Sequence, residues 1–329
     1  MPYYDLQGEQ LTGHASKVVL PEDFVEFWRV TLGEVQSIPI DIDLVEIDAL
    51  LPAVRVFDIA FSGFGGTRVK AWCLRPRDDT PLPCVVKFLG YNGGRGEPHE
   101  HLLWAAAGYA VLVMDTRGQG SGWSTGATAD PVGSGPAQGG FLTRGLLDRE
   151  QYYYRRAYVD ACRAVEVARA LPAIDSNRVV VCGKSQGGAL ALAAASLGDP
   201  VAAALIDVPF MCDVPRAATI AQREPYLELV RYLAAHRLNL NDAFSSLRYF
   251  DGVCLAKLVT APCLFSVALM DGVCPPSTVY AAFNACTSKR KEIICYPFND
   301  HEGGGTAQET LQLRWLRSLF DAHERSANG

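Results

Sequence analysis

The chain has 329 residues, 49% hydrophobic and 20% charged, with a formal net charge of −6. That suits one large α/β domain or two small ones with a sizeable buried core, and the acidic balance disfavours nucleic acid or an anionic membrane as the main partner. No apolar run approaches the roughly 18 residues that a membrane span needs. The opening Met1-Pro2-Tyr3-Tyr4-Asp5 has neither the basic segment nor the apolar stretch of a secretory signal, so a cytoplasmic location is expected. The ten cysteines (73, 84, 162, 182, 212, 254, 263, 274, 286 and 295) form no C-x-x-C pair. They suggest neither a zinc site nor a redox pair, and buried reduced thiols are expected.

In chain order, Pro21, Glu22 and Asp23 open a helix expected to reach Leu32. Residues 54–61 and 68–74 read as strands joined by the hairpin signal Ser62-Gly63-Phe64-Gly65-Gly66. A short apolar strand, 84–89, ends in Gly90-Tyr91-Asn92-Gly93-Gly94, and another, 109–114, ends in Asp115-Thr116-Arg117-Gly118-Gln119-Gly120. Residues 121–147 are rich in Gly, Ser and Pro and too long for an ordinary connection, as functional or interface loops are. A helix is expected over 149–171, a strand over 178–182 and another over 201–208. A mixed helical stretch then fills 213–257, and the last strands are 262–268 and 291–297. The closing helix, 311–323, presents Leu311, Trp315, Leu316, Leu319 and Phe320 on one face. Short apolar strands alternating with helices predict an α/β fold: a mostly parallel sheet with helices on both faces. With no repeat and no linker, the expectation is a single domain over 1–329. It carries an N-terminal helical extension over about 1–45 and an insertion over 213–257 that covers the strand ends.

Gly183-Lys184-Ser185-Gln186-Gly187 reads G-x-S-x-G, with the strand Arg178-Val179-Val180-Val181-Cys182 before it and a small-residue helix after it. Strand, tight turn and helix form the setting of a nucleophile elbow, which exposes a serine hydroxyl at the carboxyl edge of a sheet. A Cβ at Gly183 or Gly187 would strike the neighbouring helix and strand. The rival reading of Gly183-Lys184-Ser185 is the tail of a phosphate-binding loop. It needs a glycine where Arg178 stands, and the strand leaves no loop to cradle phosphates. The bland alternative is a structural serine at a crowded turn.

A serine hydroxyl needs a base, and the base an orienting carboxylate. On this fold the order is nucleophile, acid, histidine. Among histidines 14, 99, 101, 236, 301 and 323, His301 is the one beyond a strand end and in a Gly-rich turn after Ser185. Asp271, directly after strand 262–268, is the best-placed acid, ahead of Asp207, Asp213 and Asp300; its structural alternative is a helix cap. The oxyanion donors expected are the backbone N–H groups of Gln186 and Tyr91. No cofactor and no metal is implied.

Arg117-Gly118-Gln119, Gly183-Lys184-Ser185-Gln186-Gly187 and His301-Glu302 together match the R-G-Q, G-x-S-Q-G and H-E marks of carbohydrate esterase family seven. Members of that family are acetyl xylan esterases and cephalosporin C deacetylases. The stretches Gly90-Tyr91-Asn92-Gly93-Gly94, Asp207-Val208-Pro209-Phe210 and Cys274-Pro275-Pro276-Ser277-Thr278 also resemble it, so the likeness covers nearly the whole chain. It implies an α/β-hydrolase that removes acetyl groups from sugar hydroxyls and similar small esters, with Ser185, Asp271 and His301 as its triad. It further implies a cytoplasmic homo-oligomer, a ring-like hexamer, with 121–147 as an interface element and Arg117 bracing the elbow region. Lys184 beside the serine and Leu89 before Gly90 depart from what is common and bear on fine specificity. A broader carboxylesterase or a peptidase is the alternative on the same fold, and a binding protein without catalysis the alternative from another class.

Overall fold

The computed structural model describes residues 3–78, 80–132 and 139–327, with side chains described through residue 322. Among them nine strands form one sheet: β1 (Asp43–Ile47), β2 (Val54–Ser62), β3 (Arg68–Pro76), β4 (Leu82–Phe88), β5 (Ala110–Met114), β6 (Ile174–Lys184), β7 (Ala203–Asp207), β8 (Cys263–Ala268) and β9 (Lys291–Tyr296). Their order is β1-β2-β3-β5-β4-β6-β7-β8-β9. β1, β2, β3 and β5 pair antiparallel in turn, and every pair from β5–β4 onward is parallel. The central strands are apolar without alternation because both faces are covered. Consecutive residues serve opposite layers: Val86 faces the large cluster with Tyr154, Leu190 and Phe265, and Val85 faces the smaller one with Trp104, Leu316 and Leu319.

Several boundaries moved. The first long helix is Phe24–Gln36 rather than one starting at Pro21, and the helix expected from 149 is Tyr153–Ala170, with Tyr152 extended at its cap. The closing helix begins at Gly305, well before 311, and runs to Ala327. Elements that escaped the sequence reading include the short helices Gly8–Thr12 and Leu102–Ala106. Another is β1, an edge strand with no buried residue, which is tied to β2 by register and by the Arg55–Glu46 ion pair at 2.6 Å. An exposed edge lacks the apolar signal by which strands are read.

The stretch 213–257 contains helices Val214–Ile220, Tyr226–Ala235, Leu240–Leu247 and Gly252–Ala256. Its Glu224–Pro225 corner borders the cleft described below, whereas Gly252–Ala256 is buried in the core and packs against the helix after the elbow. Of the long loop 121–147, residues 133–138 lie outside the described residues. Its first part is gathered by the buried Asp115 carboxylate, which accepts the N–H groups of Ala127 (2.6 Å), Thr128 (2.8 Å) and Arg95 (2.8 Å).

Candidate active site

β6 runs into the elbow, and Ser185 takes φ 59° and ψ −121° before the helix Gln186–Leu197 begins. Such a conformation costs a non-glycine residue of order 1–3 kcal/mol and persists only where its surroundings enforce it. Here they do. Ser185 N–H donates to Asp207 O, and Ser185 O accepts Phe210 N–H, both at 3.0 Å. A Cβ on Gly183 would lie 2.1 Å from Gly187 O, and one on Gly187 would lie 2.4 Å from Phe88 O, so glycine is required at both positions.

Asp271 lies beyond the end of β8 and is fully buried. One carboxylate oxygen accepts Val273 N–H (2.8 Å) and Cys274 N–H (3.0 Å). The other lies 2.8 Å from Nδ1 of His301, which stands in the turn after β9 with its side chain 25% exposed. The Tyr4 hydroxyl donates to the Asp271 carbonyl and ties the N-terminal segment to this loop. With Nδ1–H donating to the carboxylate, Nε2 of His301 keeps its lone pair, the state a general base requires. Ser185 and His301 line one cleft of about 750 Å³.

The rival acids serve elsewhere. Asp207 accepts Gln308 (2.9 Å) and Gln312 (2.6 Å), Asp213 faces His14 at 3.2 Å, and Asp300 pairs with Arg223. Burial pushes the Asp207 carboxyl up to about 6 against the pull of Ser266, Gln308, Gln312 and Lys184. The exposed Lys184 lines the cleft wall together with Asp207. His101 also borders the cleft. Burial, with Lys87 beside it, lowers its imidazole to about 4, so it is neutral, and it bonds Arg95 O at 2.9 Å.

Gln186 opens the elbow helix, so its N–H has no carbonyl partner within that helix. Tyr91 follows β4 on the cleft wall. Its side chain turns away: the hydroxyl donates to Glu228 (2.6 Å) and accepts Phe141 N–H (2.8 Å). Beside it, Trp123 is 63% exposed at the cleft and donates Nε1–H to Tyr91 O at 2.8 Å.

Two residues that the sequence showed only inside motifs, with no role of their own, were missed as site neighbours. Gln119 joins the strand-end loop to the elbow: its oxygen accepts Asn92 N–H (2.7 Å) and its amide donates to Gln186 Oε1 (2.8 Å) and Tyr153 Oη (2.9 Å). Arg117, expected to brace the elbow, instead grips Asp160 on helix Tyr153–Ala170 at 2.5 and 2.8 Å, with Asp130 at 3.5 Å. Its link to the elbow runs through two residues: the Tyr153 hydroxyl donates to Arg117 O at 2.6 Å and accepts from Gln119, which in turn donates to Gln186. The second missed residue is Cys274, a buried thiol against the Ser185 side chain. Burial and the neighbouring Asp271 push it well above the ordinary thiol range. Its spacing of three residues from Asp271 was the available signal.

A serine strained at an elbow between a parallel strand and a helix, sharing one cleft with a histidine held by a buried carboxylate, defines an α/β-hydrolase. The chain belongs to the acetyl xylan esterase family, AXE1, which matches residues 1–319. It is 28% identical over 308 residues to the acetyl esterase Axe7A of Xylanibacter ruminicola, covering 90% of this chain and 67% of that protein. Among solved structures it is similar to the acetyl xylan esterase from Paenibacillus sp. R4 (TM-score 0.89, 33% identity, 95% of this chain and 99% of that one). It is also similar to acetyl xylan esterase 1 from Thermoanaerobacterium sp. JW/SL YS485 (TM-score 0.86, 32% identity, 96% and 100%). The acylaminoacyl peptidase of Pyrococcus horikoshii, 16% identical with a TM-score of 0.59, shares the fold alone.

Proposed function

We propose that this enzyme removes acetyl groups from acetylated xylo-oligosaccharides and related small esters, cephalosporin C among them, through an acetyl-enzyme on Ser185. The observation that carries the mechanism is the 2.8 Å contact of His301 Nδ1 with buried Asp271 in the cleft that holds Ser185. Ser185 Oγ attacks the acetyl carbonyl and His301 Nε2 takes its proton. Asp271 holds the tautomer and stabilises the imidazolium. The N–H groups of Tyr91 and Gln186 receive the oxyanion, each worth about 3–4 kcal/mol of barrier. His301 then protonates the leaving sugar alcohol, and water, deprotonated by the same imidazole, releases acetate and restores Ser185. Family resemblance further supports a cytoplasmic homo-oligomer, and a cytoplasmic site would meet oligosaccharides rather than polymeric xylan.

The reading is tested with p-nitrophenyl acetate, propionate, butyrate and octanoate, with Ser185→Ala as control. Each methylene excluded by a small acyl pocket is worth about 1–3 kcal/mol. A steep fall after acetate, with partial tolerance of propionate, is expected, and acetylated xylo-oligosaccharides should then be turned over. A flat or rising profile would instead indicate a broad carboxylesterase.

A further inference from the structure

Asp271, Cys274 and His301 each offer one donor atom, and the three atoms lie within 4.8 Å of one another. A carboxylate, a thiol and an imidazole are the donor set favoured by borderline-soft cations such as Zn²⁺ and Cd²⁺, and not by Mg²⁺, which takes oxygen ligands. Asp271 and Cys274 come from one turn, fixed by the two backbone N–H groups that Asp271 accepts. His301 brings the third donor from the turn after β9 and lines the cleft with a partly exposed side chain. A cation bonded at about 2.0–2.3 Å enters by parting the His301–Asp271 pair, which stands at 2.8 Å, and the partly exposed His301 ring has the freedom to move.

We propose that Asp271, Cys274 and His301 form a capture site for a thiophilic divalent cation, and that its occupation silences the enzyme. The cation forms bonds to Cys274 Sγ, a ring nitrogen of His301 and an oxygen of Asp271. The thiol proton leaves to solvent and no electron changes hands. The hydrogen bond between His301 and Asp271 is lost, and with it the tautomer that makes His301 a base. The loss of activity rests on the esterase reading, whereas the binding does not.

The test uses full-length protein in a Cys295→Ser background, which removes the exposed thiol. Cd²⁺ is titrated while its thiolate charge-transfer absorbance is read, and in parallel p-nitrophenyl acetate hydrolysis is followed, each rate normalised to the same protein's metal-free rate. Reversible inhibition, relieved by a chelator and not reproduced by Mg²⁺, is expected to track the absorbance. In Cys274→Ser and Cys274→Ala the half-inhibiting concentration should rise by roughly ten- to a hundredfold, and the band should disappear. In Ser185→Ala the band should persist without any activity, which separates binding from catalysis. Equal Cd²⁺ sensitivity with and without Cys274, or no thiolate band in the Cys295→Ser protein, would overturn the proposal.

Discussion

Ser185 carries a backbone angle that few serines adopt, and the flanking contacts leave it no other. Ser185→Ala should keep the elbow and the Tm while lowering kcat by roughly a millionfold, read as p-nitrophenyl acetate hydrolysis. Asp271→Asn can still accept Val273 and Cys274 N–H, so its loop should hold. An amide opposite Nδ1 favours the wrong tautomer, and kcat should fall by about ten-thousandfold with little change in KM. Asp251 tests a different property. It caps Gly252–Ala256 and accepts N–H groups from Asp213 (3.0 Å), Val214 and Val253 (both 2.8 Å). Burial nevertheless pushes its carboxyl up to about 7. The native state thus holds a proton that the unfolded chain releases above about pH 4. This contribution to stability is full below that point and is lost as pH rises toward 7. The Tm of wild type relative to Asp251→Asn should therefore decline between those values; a constant difference would contradict it.

At the scale of elements, the approaches of 2.1 Å and 2.4 Å at Gly183 and Gly187 are to backbone atoms that cannot swing aside. Gly183→Ala should lower Tm and activity together, by at least the 1–3 kcal/mol typical of overpacking. Arg117→Met would leave the almost wholly buried Asp160 carboxylate without its ion-pair partner, while Asp130 keeps Arg156 at 2.9 Å, at a cost of about 3–5 kcal/mol in a denaturant titration. The elbow, its flanking strand and the chain order of Asp271 and His301 were legible because they are local patterns tied to strand ends. Gln119 and Cys274 were not legible as site neighbours, since their contacts with Gln186 and Ser185 exist only once the strands from β5 through β8 are assembled in one sheet. β1 was invisible for another reason: its exposed residues have no core to announce.

Over the whole molecule, the central parallel strands were readable as short apolar runs, and their order around β6 explains the site. β4, β6, β7, β8 and β9 point their carboxyl ends the same way. Tyr91, Ser185, Asp271 and His301, which follow four of these strands, therefore converge on one edge although 210 residues separate the first from the last. The mechanism requires Ser185 to be the nucleophile of this assembly. It is tested most directly by inactivating the enzyme with an activated organophosphonate ester and mapping the adduct by peptide mass spectrometry. A single adduct on Ser185, formed in step with loss of activity and slowed by acetylated xylo-oligosaccharide, is predicted. An adduct on another residue, or full activity with Ser185 modified, would contradict the account.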